Sequence, residues 1–81
     1  MAEHDILAQV QQLVEVEHQL RAKRQSGEID SHQERAALKS VEEALDQCWD
    51  LLRQRRAKSE FGADPEDATA RPVQTVENYL Q

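Results

Sequence analysis

Residues 38–56, LKSVEEALDQCWDLLRQRR, decide the fold. Leu38, Val41, Leu45, Cys48 and Leu52 recur at alternating steps of three and four, which is an a/d heptad pattern on one helical face. The stretch also holds the single Trp and the single Cys. No Gly or Pro interrupts it, and Arg53, Arg55, Arg56 and Lys58 collect at its far end, where the helix dipole favours cations. It predicts a long amphipathic helix over about residues 31–58.

Working outward, residues 4–25 predict a second such helix. Ile6, Val10, Leu13, Val14 and Leu20 share one arc, with Glu3 and Asp5 at the start and Arg21, Lys23 and Arg24 at the end. Gly27 can take the left-handed conformation that ends a helix. The next helix begins at Asp30 or Ser31, and Ser31 with Glu34 fits a capping box. So short a turn makes the helices antiparallel neighbours. Pairing positions that sum to about 58 sets Leu20 by Leu38, Leu13 by Leu45, Val10 by Cys48 and Ile6 by Leu52, with Arg24 beside Glu34. Residues 1–59 are therefore expected to form an all-α antiparallel helical hairpin. Residues 60–81 are expected to form an extended, irregular tail, because Gly62, Pro65 and Pro72 break any long helix. Asp64-Pro65-Glu66-Asp67 reads as a brief helical start, and Thr75 as the cap of a last short turn.

The totals constrain function. With 81 residues, a net charge of -6 and 38% hydrophobic residues, the chain is one domain at most, with a thin core. Such chains recruit a staple. A single Cys excludes an internal disulfide framework. No apolar run approaches the roughly 18 to 20 residues of a membrane span, and the acidic N-terminus has no signal-peptide layout, so a cytoplasmic protein is the expectation. Net acidity argues against nucleic acid as the main partner.

The block Leu45-Asp46-Gln47-Cys48-Trp49-Asp50-Leu51-Leu52-Arg53, the segment from Leu13 to Arg21, and the ending with Pro72, Val73, Val76, Glu77 and Tyr79 resemble a family of small bacterial, actinobacterial-type proteins known only as a domain of unknown function. The resemblance spans nearly the whole chain. It implies no activity, catalytic residue or cofactor.

The residues themselves point away from an enzyme. Glu17 sits near the centre of the first helix's apolar arc, where a carboxylate is costly unless paired. It is either half exposed and bonded to Arg21, or part of a polar core layer with His18 or with a group of another chain. Glu15 and His18 carry the Glu-x-x-His spacing of di-metal bundles, with Glu42 and Glu43 as further ligands, but the apolar arc turns Glu15 outward. His4 and His32 read as solvated helix-end residues. Cys48, on the core stripe without a Cys-x-x-Cys partner, reads as a structural thiol. There is no Gly-rich phosphate loop and no geometric support for a Ser/His/Asp triad. No cofactor is expected.

Apolar surface exceeds what a hairpin can cover. Ala37, Ala44 and Leu51 form a second stripe beside the heptad seam, with Trp49 at its edge. Leu7, Val14 and Val16 widen the first helix's face. Exposed patches of that kind mark interfaces. The expectation is a homodimer that closes into a four-helix bundle through Ala37, Ala44, Trp49, Leu51, Leu7 and Val14, acting by protein–protein interaction with itself and a partner protein. Alternatively the tail folds back, anchored by Phe61, Val73, Val76, Tyr79 and Leu80, or docks in a partner's groove. The other functional readings are a metal-binding bundle using Glu15 and His18, and a ribosome- or RNA-associated protein using the basic end of the second helix.

Overall fold

The computed structural model describes residues 2–80, the side chain of Leu80 excepted. Helix α1 spans Glu3–Ser26 and α2 spans Ser31–Glu60. One 3-10 turn, Pro65–Asp67, and a short helix α3, Val73–Leu80, follow. There is no strand among the described residues, so the all-helical expectation holds.

The helix ends follow from local chemistry. Asp5 accepts a hydrogen bond from the Ala2 N–H at 3.2 Å, satisfying one unpaired donor at the start of α1. Gly27 ends α1 at φ 84°, where a side chain would be strained, and the Glu28 N–H closes back on the Lys23 carbonyl at 2.9 Å. The box that opens α2 is one residue earlier than expected. Asp30 is the cap, accepting from the Gln33 N–H at 2.7 Å, while the Asp30 N–H donates to the Gln33 side chain at 2.9 Å. Ser31 is the first helical residue instead. An Asp carboxylate is a stronger acceptor for an orphan N–H than a Ser hydroxyl, so it takes the cap. Helix α2 runs two residues beyond the expected Lys58, to Glu60, and the chain turns away at Gly62, φ 76°, with the Ala63 N–H reaching the Lys58 carbonyl at 2.7 Å.

Helices α1 and α2 pack as the expected hairpin. Ile6, Val10, Cys48 and Leu51 form one buried cluster, with Leu13, Leu45, Leu52 and Ala68 against it. Val10 and Cys48 share this cluster, as the anticipated pairing requires. Among the described residues no ion pair joins Arg24 to Glu34. An exposed pair is worth only about 0 to 1 kcal/mol, too little to impose itself.

The tail is not extended away from the hairpin. It folds back along α2, with the 3-10 turn and α3 both packed on that helix and Ala68 set against the cluster that α1 and α2 share. Its last helix begins at Val73, two residues before Thr75, with the Val76 N–H bonded to the Pro72 carbonyl at 3.2 Å. The described residues measure 51 × 26 × 13 Å along their principal axes, and α2 contacts α1, the 3-10 turn and α3.

Candidate functional site

Two faces of α2 differ: one is clamped by the tail and the other is left open.

The clamp is polar at its centre. Asp50 is only 2% exposed. Its Oδ2 accepts from Arg71 Nε at 3.2 Å and from Gln54 Nε2 at 2.9 Å. Gln54 also donates to the Thr69 carbonyl at 2.8 Å, and Gln47 to the Arg71 carbonyl at 3.0 Å. These amides satisfy the carbonyls of a strap that has no ladder or helix of its own to bond with. Arg55 is mostly buried and pairs with Glu66 at 3.1 Å while donating to the Pro65 carbonyl at 3.3 Å, which fixes the 3-10 turn. Val76 is fully buried and is the clamp's apolar anchor. Beside it lies Glu77, whose Oε1 is shut off from solvent. Hydrogen bonding with the Asp46 carboxyl, then burial, then repulsion from Asp46 and Glu43 push the Glu77 carboxyl above the ordinary range, against the pull of Lys39.

The open face lies on one side of the hairpin. Leu7, Val14 and Trp49 are 42%, 38% and 44% exposed. Glu3, Leu7 and Val14 are spaced by four and seven residues, so they share a face of α1. Glu3 shares a groove of about 530 Å³ with Trp49, Leu52, Arg53 and Arg56, which places that α1 face and the Trp49 side of α2 together.

The expected interface residues divide accordingly. Leu7, Val14 and Trp49 are presented outward. Leu51 is not: it is buried in the hairpin's own core and cannot serve a second chain. Steps of three and four fix a face only to within a sector, and Leu51 falls where α1 and the tail meet, with Ala68 packed on the same cluster. Ala37 and Ala44 are half-buried. Within the chain, Glu17 and His18 do not join in a polar layer. Glu17 is half-buried and pairs with Arg21 at 3.8 Å, and His18 is exposed. Of the tail anchors, Val76 is buried and Val73 half-buried, whereas Phe61 is 86% exposed and Tyr79 is exposed, stacked under Arg53 at 5.6 Å. The Leu80 side chain lies outside the described residues. Glu15 and His18 both face solvent, and among the described residues no group of three or more His, Cys, Asp or Glu is placed to hold a metal ion. Burial raises the Cys48 thiol, which suits a structural role.

Asp50, Gln54 and Arg71 are the residues that sequence reasoning missed. Their signal was faint: an Asp between a Trp and two Leu on the heaviest apolar stretch, followed four residues later by a Gln.

No helix among the described residues is long and apolar enough to cross a membrane. What the fold and the clamp define is a small all-helical hairpin locked by its own tail. The chain belongs to the family described as a protein of unknown function, DUF2630, whose pattern matches residues 2–81. It is 47% identical over 75 residues to the uncharacterized protein Mb0922c of Mycobacterium bovis, covering 93% of this chain and 86% of that one. The uncharacterized protein Rv0898c of Mycobacterium tuberculosis matches with the same identity and coverage. No solved structure matches the chain.

Proposed function

We propose that this chain is a non-enzymatic interaction module whose working form is a homodimer, with the open face of the hairpin as its interface. One observation carries the reading: Leu7, Val14 and Trp49, large apolar side chains at helical spacing, stand exposed on one side of the hairpin. The tail packs mainly on another face of α2 and reaches this side only at its edge, through Pro65 and the Tyr79 ring, so a second copy covers the remaining apolar surface and makes a four-helix bundle of the two hairpins.

The other readings draw less support. A di-metal bundle needs Glu15 and His18 turned inward, and both are exposed. An RNA site at the basic end of α2 loses Arg55 to Glu66 and Arg53 to the Tyr79 ring.

Sedimentation equilibrium on the full chain from about 1 to 300 µM, read alongside the emission of the single Trp, tests the dimer. Mass should double within that range, and emission should shift to the blue as Trp49 leaves water. A constant monomer mass with unchanged emission overturns it.

A further inference from the structure

The open face has a pattern that a two-fold axis would use. Trp49 lies at its middle on α2. Glu42 and Arg56 lie seven residues before and after it, two turns away in each direction, and both are exposed on the same side. Neither makes an ion pair among the described residues. On α1, Leu7 and Val14 are likewise seven residues apart, and the point midway between them falls beside Val10, at the level of Cys48. The midpoints on the two helices thus agree to within about one or two residues, a few ångströms of helix rise. Glu3 and His18 are also equidistant from the α1 midpoint.

Resting on the homodimer reading, we infer that the two copies meet about a two-fold axis that crosses the helices at Trp49, so that Glu42 of each pairs with Arg56 of the partner subunit. An isologous interface must be self-complementary, and this face is. The axis brings Trp49 onto the partner's Trp49, Leu7 onto the partner's Val14, and opposite charges together at both edges. The result is an apolar centre with a charged rim, the usual anatomy of a protein interface. The other two-fold arrangement, with the axis along the helices, would set Trp49 at the level of the partner's Gln9 on α1, away from the partner's Trp49, and would leave Glu42 and Arg56 without each other.

Charge reversal decides between them. E42R and R56E each place two like-charge contacts across the axis and should raise the dimer Kd about tenfold or more. The double variant E42R/R56E restores both pairs with signs exchanged and should return Kd to within about threefold of the natural chain. Trp49→Ala, at the centre, should raise it about 30-fold or more. Glu42, Arg56 and Trp49 are all solvent-exposed, and unchanged helical circular dichroism verifies that the fold is intact. A natural chain that dimerises while either single reversal has no effect, or while the double variant is weaker than both singles, overturns this register and leaves the dimer standing. Rescue of R56E by E3R instead identifies the axis along the helices. A natural chain that never dimerises removes the homodimer reading itself, and the register with it.

Discussion

Asp50 is buried to 98% of its surface by its pairing with Arg71, whose own side chain stays 45% exposed. That asymmetry fixes what each substitution should do. Arg71→Met leaves a buried carboxylate with only the Gln54 amide, and an uncompensated buried charge is the expensive outcome, about 3 kcal/mol in a well-packed site. Asp50→Asn removes the charge, keeps a hydrogen-bonding group, and leaves behind an arginine that water can reach. It should cost about 1 kcal/mol. Urea unfolding of both variants and of the double variant would measure the pair, and equal costs for the two singles would contradict the geometry. Cys48 and Glu17 show the ordinary cases beside this one. The thiol is buried without any polar demand, and the carboxylate settles at the edge of the seam with Arg21.

At the scale of elements, α3 is the piece held on the narrowest terms: one buried Val, one strap carbonyl bonded by Gln47, and a carboxyl pair. The Glu77 carboxyl is raised, so the docked helix favours its protonated form. The linkage runs in one direction. A group whose docked-state pKa exceeds its undocked value contributes stability that is fully present below the undocked pKa and is lost as pH rises through the docked one. Docking of α3 should therefore weaken from mildly acidic pH upward. Amide exchange in residues 73–80, corrected for intrinsic rate, should show falling protection as pH rises. Glu77→Gln, which donates an N–H to Asp46 without a charge, should flatten that dependence and raise protection at neutral pH. A profile unchanged by the substitution would rule out Glu77 as its source. The same element marks the boundary of what was legible in sequence. The hairpin was readable because Ile6, Val10, Leu45, Cys48 and Leu52 bury apolar groups at helical spacing, and Gly27 and Gly62 end their helices by a backbone requirement only glycine meets cheaply. The fold-back of the tail was legible only as one of two alternatives, through the apolar Val73 and Val76, because its polar clasp is made by Asp46, Gln47, Asp50, Gln54 and Arg71. Periodicity treats such polar residues as solvent-facing, and only their partners more than a dozen positions away make their burial possible. The open face was half legible: Leu7, Val14 and Trp49 stood out as surplus apolar residues, but Leu51 was indistinguishable from them until Ala68 arrived from the tail.

For the molecule as a whole, the thin core and the open face bear on the same quantity. Buried apolar side chains among the described residues are Ile6, Val10, Val41, Cys48, Leu51 and Val76, a small set for a chain of 81 residues. If a second copy completes the core, unfolding separates two chains, and stability must depend on concentration by mass action. Each tenfold rise in concentration adds about 1.4 kcal/mol per dimer, and for a unit of this combined size that is a rise in Tm of about 3 to 5 °C. Trp49→Ala should abolish the slope while costing little at the dilute end, where the ring is 44% exposed and has little packing to lose. Salt separates the contributions further. Two chains each carrying a net charge of -6 repel at long range, so moderate salt should raise the Tm of the natural chain by screening that repulsion. In E42R the same salt should raise it more, because it also screens the new like-charge contacts at short range. Thermal unfolding at three concentrations and two ionic strengths would read all of these together. A Tm independent of concentration would mean that one hairpin, with its tail clamp, is stable on its own.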